Sequence, residues 1–165
     1  MPPLHPAIVH FPIAFVTLSF IADLLGRWLN NFALRATGFW SLFAAVLGGI
    51  VAAATGYWDM SRDTLGETDH YVDFHMDIGW ILLGAVAVLF MWRWLVYKRR
   101  DRPVHAVYLI AALIVFGLTL FQGWYGGEMV YSQGAGVAAA GKGTEASQAG
   151  KGRLDKVTPA EPAEH

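Results

Sequence analysis

Cysteine is absent from all 165 residues. That excludes disulfides, thiolate-held iron–sulfur clusters and covalently attached c-type haem. Any metal or cofactor must be held by histidine, methionine, carboxylates or backbone. Charge is scarce as well. Only 15% of residues are charged, whereas soluble domains carry about a quarter. The net charge of −1 leaves no basic footprint of the kind nucleic acid requires. What the chain has instead is apolar bulk, with 55% hydrophobic residues. Seven Trp and six Tyr gather at the ends of the apolar runs, as an interfacial belt does.

Four such runs lie at about residues 6–29, 37–58, 74–96 and 104–124. Each is close to the roughly 20 residues that cross a bilayer as a helix. Backbone groups in lipid must pair within the chain, and no run alternates as a barrel strand would. The first run lacks a positive n-region and an A-x-A site, so it reads as a retained helix rather than a signal peptide. The expected fold class is therefore all-α, an integral membrane four-helix bundle over residues 1–137. Arg27 and Arg35 mark the first connection, and Lys98, Arg99, Arg100 and Arg102 the third. The second connection is acidic, with Arg62 its only basic residue. The positive-inside rule then predicts both termini outside, on the periplasmic face of a bacterial inner membrane. Tyr125-Gly126-Gly127 reads as a turn after the fourth helix. Residues 138–165, rich in Gly, Ala, Lys, Ser and Glu, read as a disordered tail. No long-period repeat is evident.

Four histidines fall on the outer side: His5 and His10 at the mouth of the first run, His70 and His75 at the mouth of the third. The members of each pair are five residues apart, about 140° on a helix, so neither pair chelates one ion from one helix. Ligation has to run between helices. His10 is expected to look inward with Ala14 and Thr17, and His75 with Gly79, Leu82 and Leu83. Pro12 should bend the first helix by leaving the Ile8 carbonyl without its donor. Gly79 would let a flat macrocycle approach the backbone. Asp59 is placed to orient a ligand imidazole. A histidine at membrane depth needs a partner, although one near the interface can also bond to water or a carbonyl. Asp23, deep in the first helix, can pair with Arg27 one turn on. The registers Ala45-Gly49-Ala53 and Gly48-Ala52-Gly56 are those of close helix packing, with room for a porphyrin as the other reading. His105 is assigned no function.

The stretch Leu4-His5-Pro6-Ala7-Ile8-Val9-His10-Phe11-Pro12-Ile13-Ala14 opens a pattern. It continues through Ala54-Thr55-Gly56-Tyr57-Trp58-Asp59, then His70, His75 and Gly79, then Gly126-Gly127-Glu128-Met129-Val130-Tyr131. Over about residues 4–137 this resembles the bacterial membrane-protein family called domain of unknown function 2231. The family is similar in architecture to small four-helix b-type cytochromes, and some relatives are joined to periplasmic c-type cytochrome or Rieske modules. The resemblance implies redox work on the outer face, with a periplasmic redox protein or a membrane respiratory subunit as partner.

On this reading the chain is an electron carrier rather than an enzyme. It holds haem b between His10 and His75 as axial ligands, with His5 and His70 at a second centre or beside the propionates. The alternative is a non-redox accessory subunit whose outer His and Asp residues bind copper or zinc, or dock a periplasmic partner.

Overall fold

The computed structural model describes residues 4–61, 69–97 and 104–133. The basic cluster of the third connection, Arg62 and the tail from residue 138 lie outside them. Five helices follow in order: α1 (His5–Ile8), α2 (His10–Trp28), α3 (Phe32–Met60), α4 (Asp69–Tyr97) and α5 (Ala106–Gln133). Helices α1 and α2 form one membrane-length span interrupted at Val9, which itself keeps helical angles (φ −60, ψ −25). The interruption is the one expected of Pro12, which has no N–H for the Ile8 carbonyl. Below it the ladder resumes, with Ile13 N–H donating to Val9 O at 3.3 Å.

All described secondary structure is helical, and four helices are long and apolar enough to cross a membrane: His5–Trp28, Phe32–Met60, His70–Leu95 and Ala106–Ser132. Much of their apolar surface points outward; Ile81, Val88, Val107 and Ile110 are exposed. That is the reverse of a water-soluble bundle and suits lipid as the solvent. The hydroxyls of Thr17 and Thr119 return to carbonyls of their own helices, each at 2.8 Å, which satisfies them without water.

The first turn is tight. Asn30 takes φ 49, a left-handed angle that Asn tolerates. Asn31 caps α3 by accepting from Leu34 N–H at 3.2 Å. At the other end of the chain, the expected turn at Tyr125 does not occur. Helix α5 runs unbroken through Gly126 and Gly127 to Gln133. A glycine costs a helix only about 1 kcal/mol, and Gly126 is packed against a neighbour rather than left to bend.

Helices α2, α3, α4 and α5 form a closed ring, each touching the next, with α5 returning to α2 and α1 lying on α3. The core joins Val16, Leu42, Ala45, Val86, Leu89, Tyr108, Ala112 and Val115. These residues reveal an order that the sequence hides. Val16 and Val86, Leu42 and Ala112, and Ala45 and Val115 stand 70 positions apart, as do Asp23 and Arg93. The bundle is two helical hairpins laid side by side in the same sense, a parallel internal repeat. Few side chains are shared at this offset, which is why no repeat shows in the sequence.

Candidate functional site

Four positions in this repeat carry the chemistry. On the first span, His5 lies on the inward stripe with Pro12, Val16, Ser19 and Asp23, at helical spacing. On α4, His75 lies on the corresponding stripe with Gly79, Leu82, Val86, Leu89 and Arg93. In each helix eighteen residues separate the histidine from the charged residue, roughly 27 Å at 1.5 Å per residue. The bundle thus has a histidine end and an arginine end.

At the histidine end the imidazoles of His5 and His75 meet edge to face, ring centroids 6.2 Å apart and planes at 88°. His5 is held at two points. Its backbone N–H donates to Asp59 Oδ2 at 2.8 Å, which caps the start of α1. Its Nδ1 lies 2.7 Å from the Ala52 carbonyl oxygen. A carbonyl only accepts, so Nδ1 carries the proton and Nε2 keeps its lone pair. Gly56 makes this contact possible: a Cβ there would stand 3.0 Å from His5 Nδ1.

His75 repeats the packing but not the hydrogen bond. A Cβ on Gly126, the counterpart of Gly56, would stand 3.0 Å from His75 Cε1. Tyr125 stacks on the ring, with centroids 6.2 Å apart and planes at 12°. The His75 backbone carbonyl accepts from Gln122 Nε2 at 2.7 Å. Gly79, one turn on, leaves room for that amide; its absent Cβ would be 3.4 Å from Nε2. Among the described residues, two buried side-chain polar atoms lack a partner, His75 Nδ1 and Gln122 Oε1. Both belong to this site.

The expected pairing of His10 with His75 does not form. His10 is exposed, on a face that continues through the exposed Ala14, Ile21 and Leu24. The 140° between His5 and His10 decides this: α1 presents His5 to α3, so His10 turns away. His70 is exposed beside Tyr71 and joins no second centre with His5. Asp59 grips the backbone of His5, not an imidazole. Gly79 admits Gln122 rather than a macrocycle. The small-residue registers of α3 serve packing: Gly48 receives Pro12, with a would-be Cβ 3.4 Å from its Cδ, and Gly49 receives Leu83 at 2.9 Å. His105 is exposed at the foot of α5.

The arginine end holds a site that a local reading misses. Asp23 does not pair with Arg27. Arg93 Nε donates to Asp23 Oδ2 at 3.0 Å and Nη2 to Oδ1 at 2.9 Å, a bidentate pair. Arg93 Nη2 also donates to Arg35 O at 2.9 Å. Gly38 clears space for the carboxylate, since a Cβ would stand 2.5 Å from Oδ1. Tyr108, the counterpart of Gly38 in the repeat, places its ring centroid 6.0 Å from the Arg93 guanidinium carbon. The signal was a single arginine inside the third apolar run, which must find a partner at that depth. Arg27 Nη1 donates instead to the Val104 carbonyl.

Residues 1–139 match the family model described as "Predicted membrane protein (DUF2231)". The chain belongs to this family. No curated protein and no solved structure matches it. In this DUF2231 chain the segments that carry the family resemblance converge in space. His5, Gly56, Asp59, His75, Gly79 and Gly126 all lie at the histidine end: Gly56 and Gly126 seat the two imidazoles, Asp59 holds the His5 backbone, and Gly79 admits the Gln122 amide that bonds the His75 carbonyl.

Proposed function

We propose that this membrane protein is a non-enzymatic accessory subunit that holds one cuprous ion between His5 and His75. The supporting observation is the pair itself. Two imidazoles sharing an ion set their ring centres roughly 6 Å apart, given metal–nitrogen bonds of about 2 Å. The observed separation is 6.2 Å. A ligand imidazole commonly donates its other nitrogen to a backbone carbonyl, which fixes the tautomer. His5 does so through Ala52. With its proton on Nε2, His75 offers the buried Nδ1.

The donor set favours copper over the other candidates. Zinc sites take four ligands, and among the described residues no group of three His, Asp or Glu side chains could hold a metal. Cuprous ion is satisfied by two neutral nitrogens, and its single charge is cheaper to desolvate in a membrane. Haem iron would use the same two histidines, with His5 replacing His10. However, Gly56 and Gly126 bring the α3 and α5 backbones against the rings, so a macrocycle would require the helices to part.

Cuprous ion titrated into the purified full-length protein under reductant should bind one per chain. His5→Ala or His75→Ala should weaken binding about 100-fold or more, as loss of half the ligands implies. His10→Ala and His105→Ala should leave it unchanged. Unaltered affinity in His5→Ala would sink the proposal. A low-spin haem spectrum that depends on His5 and His75 would replace copper with haem.

The basic residues Arg27 and Arg35 belong to the arginine end, which supports a cytoplasmic placement of that end and a periplasmic one for His5, His75 and both termini. An alkaline phosphatase fusion after His165 should therefore be active and a fluorescent-protein fusion dark. The opposite pattern would put the metal site on the cytoplasmic face.

A further inference from the structure

The arginine end carries an asymmetry between the two hairpins. Where α3 meets α4, Trp94 packs edge-on to Phe39, ring centroids 6.4 Å apart, and Phe90 lies 5.6 Å from both rings. The counterparts of Trp94 and Phe39 in the repeat are Leu24 and Leu109, where α2 meets α5. There the smaller side chains leave an open groove of about 510 Å³, lined by Leu24, Arg27, Trp28 and Leu109. Phe20, the counterpart of Phe90, still stacks on Phe116 of α5, centroids 5.2 Å apart, so the two interfaces differ at the level of Leu24 and Leu109, where the groove opens beneath a cation.

Among the described residues no carboxylate compensates that cation. Asp23, the carboxylate one turn away, is taken by Arg93. Among the described residues Arg27 has no acidic partner; its Nη1 rests on the neutral Val104 carbonyl, which fixes the guanidinium at the head of the groove. Trp28, 79% exposed, is the residue type that sits at headgroup level. The groove therefore offers a positive head, an interfacial ring and two leucines along an apolar trough.

We infer that this groove binds one anionic phospholipid, with its phosphate on Arg27 and an acyl chain along Leu24 and Leu109. The site is separate from the imidazole pair and does not depend on the copper reading. The lipid does for α2 and α5 what Trp94 and Phe39 do for α3 and α4: it fills the interface.

Native mass spectrometry of the full-length protein in detergent tests this, with phosphatidylglycerol, phosphatidylcholine and inorganic phosphate as separate probes. One phosphatidylglycerol should be retained in preference to phosphatidylcholine, and inorganic phosphate should not compete. Arg27→Gln should weaken phosphatidylglycerol binding roughly five- to tenfold, the scale of one basic residue at an anionic lipid surface. Leu109→Trp, which fills the groove while keeping the charge, should weaken it as much and should leave the thermal midpoint equal or higher. Equal retention of both lipids would overturn the inference, because charge would then play no part. Displacement by phosphate alone, or full binding in Leu109→Trp, would overturn it by removing the acyl chain from the groove.

Discussion

Arg93→Leu is expected to cost the folded bundle about 3–5 kcal/mol, the range for breaking a buried ion pair from one side. Asp23 is fully buried, at 0% exposure, and Arg93 is 3% exposed. Removing the guanidinium strands a carboxylate in an apolar core and also removes the side-chain hydrogen bond to Arg35 O. The cost comes chiefly from what remains rather than from what is lost. Asp23→Asn combined with Arg93→Gln should therefore recover much of the stability, because neither partner is then a charge. Asn also keeps the size of Asp, which matters against Gly38. Unfolding in detergent, followed by circular dichroism, measures the difference. If Arg93→Leu alone is as stable as the parent, the pair has no structural role and its burial needs another explanation. The pair also has a consequence for assembly. Identical charges at equivalent positions of a repeat would repel, so Asp on one hairpin and Arg on the other specify that unlike hairpins pack together.

Gly126→Leu should lower cuprous affinity by about 100-fold or more, an effect comparable to loss of a ligand, while helix content is retained. Its Cβ would stand 3.0 Å from His75 Cε1, tighter than an ordinary contact, so the ring has to give way. Gly56→Leu should act in the same way on His5, whose Nδ1 would lie 3.0 Å from the new Cβ and would lose the Ala52 carbonyl. Gly127→Leu is the control, because nothing lies within 4 Å of a Cβ at that position. Competition against a cuprous chelator gives the affinities, and far-ultraviolet circular dichroism reports the fold. Parental affinity in Gly126→Leu would show that the ring position is irrelevant to binding, and the metal reading would fall with it.

The membrane class and the four spans are legible from composition and run length alone. The expected runs at about residues 6–29, 37–58 and 74–96 sit within or close to the observed spans. The fourth ends late because Gly126, which signals a turn in water, serves in this bundle as a seat for a histidine, and Gly127 is carried along in the same helix. Close packing by the small residues of α3 was legible too, since a stripe without side chains admits a neighbouring helix whichever helix that is.

The choice of partner was not legible in the same way. Sequence distance made Arg27 the natural mate for Asp23, yet the carboxylate faces inward and meets an arginine 70 positions away. The two candidate histidines of the first helix differ only in rotation. A stripe through Ser19 and Asp23 does mark His5 as the inward one, since polar residues at membrane depth must face protein. Composition and periodicity along each segment thus determined that this protein crosses the membrane as four helices with His5, His10, His70 and His75 at one end. Which histidine meets which, which charge is neutralised and which groove stays open were decided by how the two hairpins close on one another. Lipid rewards any apolar surface alike, so the registration between helices rests on the few glycines, imidazoles and charges that interlock at their contacts.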